Sequence, residues 1–170
     1  MQRIDVNAFK ESDKFEVLVI LDNIRSGNNV GSVFRTGDAL RISAILLCGI
    51  SAQPPHRDIH KTALGSTESV AWKYFDHTLD AIQFAKGQGY KVYAVEQTET
   101  SILLDEFVAE KGDKIALVMG NEVRGVDQKV IDECLGVIEI PQFGTKHSFN
   151  ISVSTGIVLW DLYTKMTPFK

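Results

Sequence analysis

Apolar residues along this chain come in short blocks, with polar and turn-forming residues between them. Residues 15–22 (FEVLVILD) are a compact apolar run bounded by charges, the pattern of a strand buried on both faces. Residues 43–49 (SAILLCG), 70–75, 91–97, 115–119 (IALVM) and 137–140 repeat it, the last stopped by Pro141. Between the runs the spacing turns helical. Residues 30–41 carry Val30, Val33, Phe34 and Leu40; residues 79–87 end at glycine; residues 127–135 open on Asp127, a natural N-cap. A final helix over 150–165 is apolar at Val153, Ile157 and Trp160, and both Trp72 and Trp160 are expected in the core. Residues 53–65, opening on Pro54-Pro55, predict a loop with a short helix. Strands that alternate with helices and are apolar on both faces predict an α/β fold: a parallel sheet with helices on both faces. No repeat, linker or low-complexity tract divides it, so residues 1–170 are expected to form one domain.

In open α/β sheets, ligands bind beyond the carboxyl ends of the strands. Three predicted loops lie there: residues 23–29, 120–126 and 141–148. The first runs into NNVGSVFRTGDAL. Asn29 is placed to cap the helix, Gly31 lets a backbone or ligand come close, and Arg35 offers a fork of donors suited to phosphate. A capped helix with a solvated arginine explains the same residues. The second reads LVMGNEVRGVD, with Gly120 and Gly125 around Glu122; it is neither a dinucleotide-binding fingerprint nor a Walker loop. An ordinary turn with an exposed glutamate would look alike. The third, IEIPQFGTKHSFNISVSTG, brings Ser148 and Asn150 to the entry of the last helix, whose free N–H groups can hold an anionic or polar ligand. Ser148 is the natural cap there.

Other candidates are weaker. His147 beside Ser148 suggests a nucleophile pair, but adjacent side chains seldom meet and there is no G-x-S-x-G elbow. His56 and His60 lack an H-E-x-x-H frame, and Cys48 and Cys134 have no metal or redox spacing, so no metal site is expected.

Taken together, N-x-G-x-x-x-R, G-N-E-x-x-G and I-P-x(6)-S-x-N, in this order and spacing over residues 17–165, resemble the three motifs of the SpoU/TrmH family. These are RNA ribose 2′-O-methyltransferases of the SPOUT superfamily. The resemblance implies a sheet whose C-terminal segment, roughly residues 120–162, is threaded into a deep trefoil knot, a feature no pattern rule would propose. It implies S-adenosylmethionine as cofactor, tRNA or rRNA as substrate, and a homodimer whose active sites lie at the subunit interface. Carried over by position, Arg35, Asn29, Glu122, Ser148 and Asn150 match the family's catalytic residues. Gly120, Ile140, Ser148, Phe149 and Asn150, with Val95 and Glu96 at the preceding strand end, match its cofactor cradle. Phe149 stands where leucine is common, and Gln142-Phe143 where methionine is common. The resemblance assigns activation of the ribose hydroxyl to Arg35. Because a guanidinium titrates above about 12, an electrostatic anchor is the preferred role, with a base role left open. About 16 residues precede the first strand, so substrate recognition is expected from this domain, a dimer partner or an accessory protein rather than from a separate RNA-binding domain. Two alternatives stay open: a catalytically silent RNA-binding or ribosome-assembly module of the same fold, and another kind of nucleotide-binding α/β protein. The intact motifs argue against the first, and the missing P-loop against the second.

Composition changes this picture in one respect. With 44% hydrophobic and 24% charged residues among 170, the chain is neither disordered nor a coiled coil. It has no apolar run of membrane-span length and no leader-like N-terminus, so a cytoplasmic protein without a membrane partner is expected. The net charge of −4 (18 basic, 22 acidic residues) argues against a generic, strongly basic RNA binder. Its distribution removes the conflict: residues 23–73 hold six basic and three acidic side chains, and residues 74–140 six and thirteen. The basic excess falls in the segment carrying the first motif, and local field rather than net charge governs contact with phosphate.

Overall fold

A computed structural model of the chain describes residues 4–145 and 148–167. Seven strands, all paired in parallel, form one sheet in the order β3-β2-β1-β6-β4-β7-β5. They are β1 (Phe15–Asp22), β2 (Ile42–Cys48), β3 (Trp72–Phe75), β4 (Lys91–Val95), β5 (Ile102–Leu103), β6 (Ile115–Met119) and β7 (Gly136–Glu139). The helices are α1 (Val6–Glu11), α2 (Gly27–Leu40), α3 (Arg57–Ala63), α4 (Ser66–Ser69), α5 (Thr78–Gly87), α6 (Gln128–Asp132) and α7 (Ile151–Met166).

The two-sided apolar runs do what their pattern predicts. Val17, Val19, Leu21, Ile115, Leu117 and Met119 point to one face, where they meet Val30, Val33 and Phe34 of α2, Ile59 of α3 and Val158, Leu159 and Leu162 of α7. Leu18, Ile20, Ala116 and Val118 point to the other, against Ala81, Ile82 and Ala85 of α5 and Val130 of α6. Strands buried on both faces must be apolar at every position, which is why β1 and β6 are uninterrupted. From β1 the chain moves outward through β2 to β3. It then crosses to β4, and β6 fills the place between β1 and β4. The strand order therefore reverses beside β1, where the loops after β1 and β6 meet; such a switch point is the usual ligand crevice of open sheets.

Several boundaries depart from expectation. Helix α2 begins three residues early, because the Ser26 hydroxyl accepts the Asn29 N–H and is the cap. Asn29 is thus inside the first turn, and its side chain is released from capping. Helix α7 is capped by Asn150, whose Oδ1 accepts from the Ser152 N–H at 2.9 Å, and not by Ser148. Helices α1 and α4 and the two-residue β5 are too short to leave a periodic signature. Trp72 packs half-buried against the core, but Trp160 is 53% exposed and stacks on Tyr163. It lies on the side of α7 turned away from the sheet. Among the described residues, no helix is long and apolar enough to cross a membrane.

Candidate functional site

The site is built on three loops at the carboxyl ends of β1, β6 and β7. The β6 loop is tightest. Asn121 and Gly125 pair backbone to backbone, and the Asn121 Oδ1 accepts the N–H groups of Val123 and Arg124. This folds the turn back on itself so closely that a Cβ at Gly120 would lie 2.5 Å from the Gly125 carbonyl carbon. Gly125 itself has φ +68° and leaves room for the Glu96 carboxylate, which accepts the Val126 N–H at 3.0 Å. The Asn121 amide also donates to the Asn23 carbonyl at 2.7 Å, tying the β6 loop to the loop after β1.

Three side chains far apart in sequence then meet. The Asn150 amide donates to Asn29 Oδ1 at 3.1 Å, and the Asn29 amide donates to Glu122 Oε1 at 3.0 Å. Each loop contributes one residue to this chain of bonds. Asn150 spans both jobs: its Oδ1 caps α7 while its amide reaches α2. Arg35, nearly two turns beyond Asn29 on α2, is exposed and makes no hydrogen bond or ion pair with the described residues. Asn29 and Glu122 bond to each other and not to Arg35. Gly31 serves close packing with protein and not with a ligand, since a Cβ there would sit 2.5 Å from the Ile59 carbonyl oxygen of α3.

Beside the chain of bonds lies a cavity of about 490 Å³, within the usual range for small-molecule sites. Val95, Glu96, Gly120, Ile140, Ser148 and Phe149 all line it, as does Glu122; Asn150 stands outside the lining, and so do Asn29 and Arg35. Glu96 contributes less free carboxylate than its position suggests, because its two oxygens accept from the Gln97 and Val126 N–H groups. Arg124 and Val126, inside the expected 120–126 loop but not singled out there as site residues, also line the cavity, as do Gln97 and Thr98, which no expected loop contains. Nothing in local spacing marks them; only the shared strand end of Gln97 and Thr98 with Glu96 could have. The Thr98 hydroxyl is buried with no hydrogen-bond partner among the described residues. Lys146 and His147 lie outside the described residues, and with them the Ser148–His147 pairing.

Burial pushes the Cys48 thiol up to about 12 and the Cys134 thiol to about 11, so neither is poised as a nucleophile. Among the described residues no three His, Cys, Asp or Glu side chains gather where they could hold a metal ion.

The fold and this site have counterparts. Residues 16–160 match the model of the SpoU rRNA methylase family. The chain belongs to that family. The 23S rRNA (guanosine-2′-O-)-methyltransferase RlmB of Neisseria meningitidis is 30% identical over 143 residues, which are 84% of this chain and 56% of that protein. The AdoMet-bound rRNA methyltransferase of Sinorhizobium meliloti superposes with a TM-score of 0.81 at 27% identity, covering 91% of this chain and 59% of that one. The A. aeolicus TrmH/SpoU tRNA modifying enzyme has a TM-score of 0.80 at 24% identity, over 94% of this chain and 79% of that one, and speaks for the fold alone. The chain thus spans a little over half the length of the first two relatives. In this SpoU family domain, the segments the motifs occupy are those that the Asn150–Asn29–Glu122 bonds join.

Proposed function

We propose that this domain transfers a methyl group from S-adenosylmethionine to a ribose 2′-hydroxyl of tRNA or rRNA. The observation that carries the reading is the Asn150–Asn29–Glu122 chain beside a cavity of about 490 Å³: three distant segments converge on one ligand-sized space. Family membership gives the class of chemistry. The cavity suits the cofactor in kind. Ile140, Val126 and Ile131 offer apolar surface for a purine, Glu122 offers negative charge toward a sulfonium, and the unpartnered Thr98 hydroxyl is a group that a polar ligand would satisfy. Val95, Glu96, Gly120, Ile140, Ser148 and Phe149 form the proposed cradle, with Asn150 behind it at the start of α7. When bound, S-adenosylmethionine supplies an electrophilic methyl on a good leaving group.

The work left to the protein is alignment and charge stabilisation. Arg35, exposed and without a hydrogen bond or ion pair among the described residues, is the group for the phosphate next to the target ribose, and its positive charge stabilises the developing alkoxide. Its guanidinium keeps its proton at neutral pH, since it titrates above about 12. Asn29 and Glu122 hold α2, which carries Arg35, to the loop that lines the cavity. Asn150 fixes the entry to α7, and Ser148 lines the cavity beside it.

We also propose that the unit is one domain acting in the cytoplasm as a homodimer with an interfacial active site, and that residues 120–162 form a deep trefoil knot. The half-exposed Val153 and Trp160, two turns apart on α7, support a partner subunit. The placement of β6 between β1 and β4, with α7 returning to α2, supports the knot.

The test is incubation with labelled S-adenosylmethionine and separate tRNA and rRNA fractions, followed by nucleoside mass spectrometry. A 2′-O-methylated nucleoside is the expected product. Base methylation would sink the chemistry, and RNA binding without any transfer would favour the silent module.

A further inference from the structure

Helix α3 stands out from the rest of the surface. Arg57, His60 and Lys61 are exposed at positions i, i+3 and i+4, while Ile59 and Ala63 turn inward, so the outer face of the helix carries two fixed cations and a histidine. Arg57 and Lys61 are one turn apart and repel each other, which weakens a short helix. Asp58 has its Cβ turned toward α2, 3.0 Å from the position a Gly27 Cβ would take, and neither Arg57 nor Lys61 has an ion pair among the described residues. The four salt bridges all involve other lysines: Lys86, Lys91, Lys114 and Lys165.

The helix is also fastened to the site. The Thr62 hydroxyl donates to the Asn28 carbonyl at 3.0 Å, next to Asn29. Gly31 lets the α3 backbone approach α2 closely, and Arg35 is one turn further along the same side of α2. A loop with solvated cations would need neither the helix nor the close crossing.

We propose that the outer face of α3 is a phosphate-binding strip that holds RNA backbone flanking the nucleotide presented to Arg35. This rests on the RNA 2′-O-methyltransferase reading above. The repulsion of Arg57 and Lys61 is relieved when backbone phosphates lie across them, and the rigid link through Gly31 and Thr62 turns that contact into register at the site. In a chain of net charge −4, the strip gives RNA a local attraction that the whole molecule lacks.

The experiment uses the full chain and the RNA fraction that the wild type methylates. Binding is followed by fluorescence anisotropy over a salt series for Arg57→Gln/Lys61→Gln, for the charge-reversed Arg57→Glu/Lys61→Glu, and for a remote control at the other end of the sheet, Lys111→Gln/Lys114→Gln. The neutral pair is expected to weaken RNA binding at least fivefold at low salt. It should lower the slope of log affinity against log salt by about two, one for each lost phosphate contact. Charge reversal should weaken binding further. The control should change neither quantity, and S-adenosylmethionine affinity by calorimetry and the thermal midpoint should be unchanged in the Gln pair. Unchanged RNA affinity and slope in both α3 variants would overturn the strip while leaving the methyltransferase reading intact, and so would an equal loss in the control. A wild type that neither binds nor methylates RNA would overturn both.

Discussion

The molecule has a cavity at each end of its sheet, and the larger one is not where the motifs are. The cavity at the carboxyl ends has about 490 Å³. The other, about 580 Å³, is lined by Phe15, Leu40, Arg41, Lys111, Asp113 and Tyr163 among others, near the start of β1. Size does not separate them; construction does. The upper walls are loop backbone brought together by Gly120 and Gly125, with polar side chains from three loops bonded across the rim. The lower walls are ends of elements, and two of their charges, Lys14 and Asp113, are taken up in local bonds. Lys91, at the same end of the sheet, pairs with Asp113 at 2.8 Å, and Asp113 also accepts the Glu110 N–H. A chemical site needs polar groups from distant segments held together and left facing a space, whereas Asp113 at the lower end is tied to its sheet neighbour Lys91.

This contrast can be broken most sharply at Arg35. Arg35→Ala should lower methyl transfer about 100- to 1,000-fold, the usual cost of removing one electrostatic stabiliser. It should leave S-adenosylmethionine binding by calorimetry as in the wild type; intact turnover would show that Arg35 is not the anchor. Next comes the upper wall. Gly120→Ala forces a Cβ to 2.5 Å from backbone, so cofactor affinity should fall at least tenfold, with about 1–3 kcal/mol lost in denaturant unfolding. A variant that binds normally would mean the turn is not part of the cradle.

The two candidate caps give a smaller, paired effect. Asn150→Ala should cost about 1 kcal/mol by thermal or urea unfolding, because it removes the α7 cap and the bond to Asn29. Ser148→Ala should cost much less while still weakening cofactor binding. The reverse order would restore Ser148 as the cap.

The smallest effect belongs to the lower end. The Lys91 ammonium, and then the Glu110 N–H, hold the Asp113 carboxyl below the usual carboxylate range, and the same pairing raises Lys91. A lowered acid stabilises the fold fully above its unfolded pKa and loses that contribution as pH falls through the folded value. A raised base keeps its contribution until pH climbs past the lysine range. The pair is therefore intact near neutrality and lost first in acid. Because Lys91 is largely exposed, Asp113→Asn should move the midpoint by less than about 2 °C at pH 7, with no change in cofactor affinity. A large loss of transfer would show that the two ends are coupled.

Much of the fold was legible in the chain because burial on both faces demands unbroken apolar runs. Strands β1 and β6 fall on the very residues, 15–22 and 115–119, that the pattern marks. Helix starts were harder. Gly27, Asn28 and Asn29 are poor helix formers, and they are helical because Ser26 caps them and α3 packs against them. At two residues, β5 is ordered by pairing with β7 and carries no period of its own. The cavity residues Gln97, Thr98 and Arg124 were silent because polar loop residues look alike until a fold aims them at one space.

Order, spacing and residue type along the chain were enough for a parallel α/β sheet, for the three loops and for the family. They could not say what Asn29 does. Capping is a local interaction and can be guessed from neighbours, and that guess assigned Asn29 and Ser148 to helix starts. The bonds that Asn29 makes cross 93 residues to Glu122 and 121 to Asn150. Only the packing of α2 and α7 on one sheet face, with β6 seated beside β1, brings such partners within 3.1 Å.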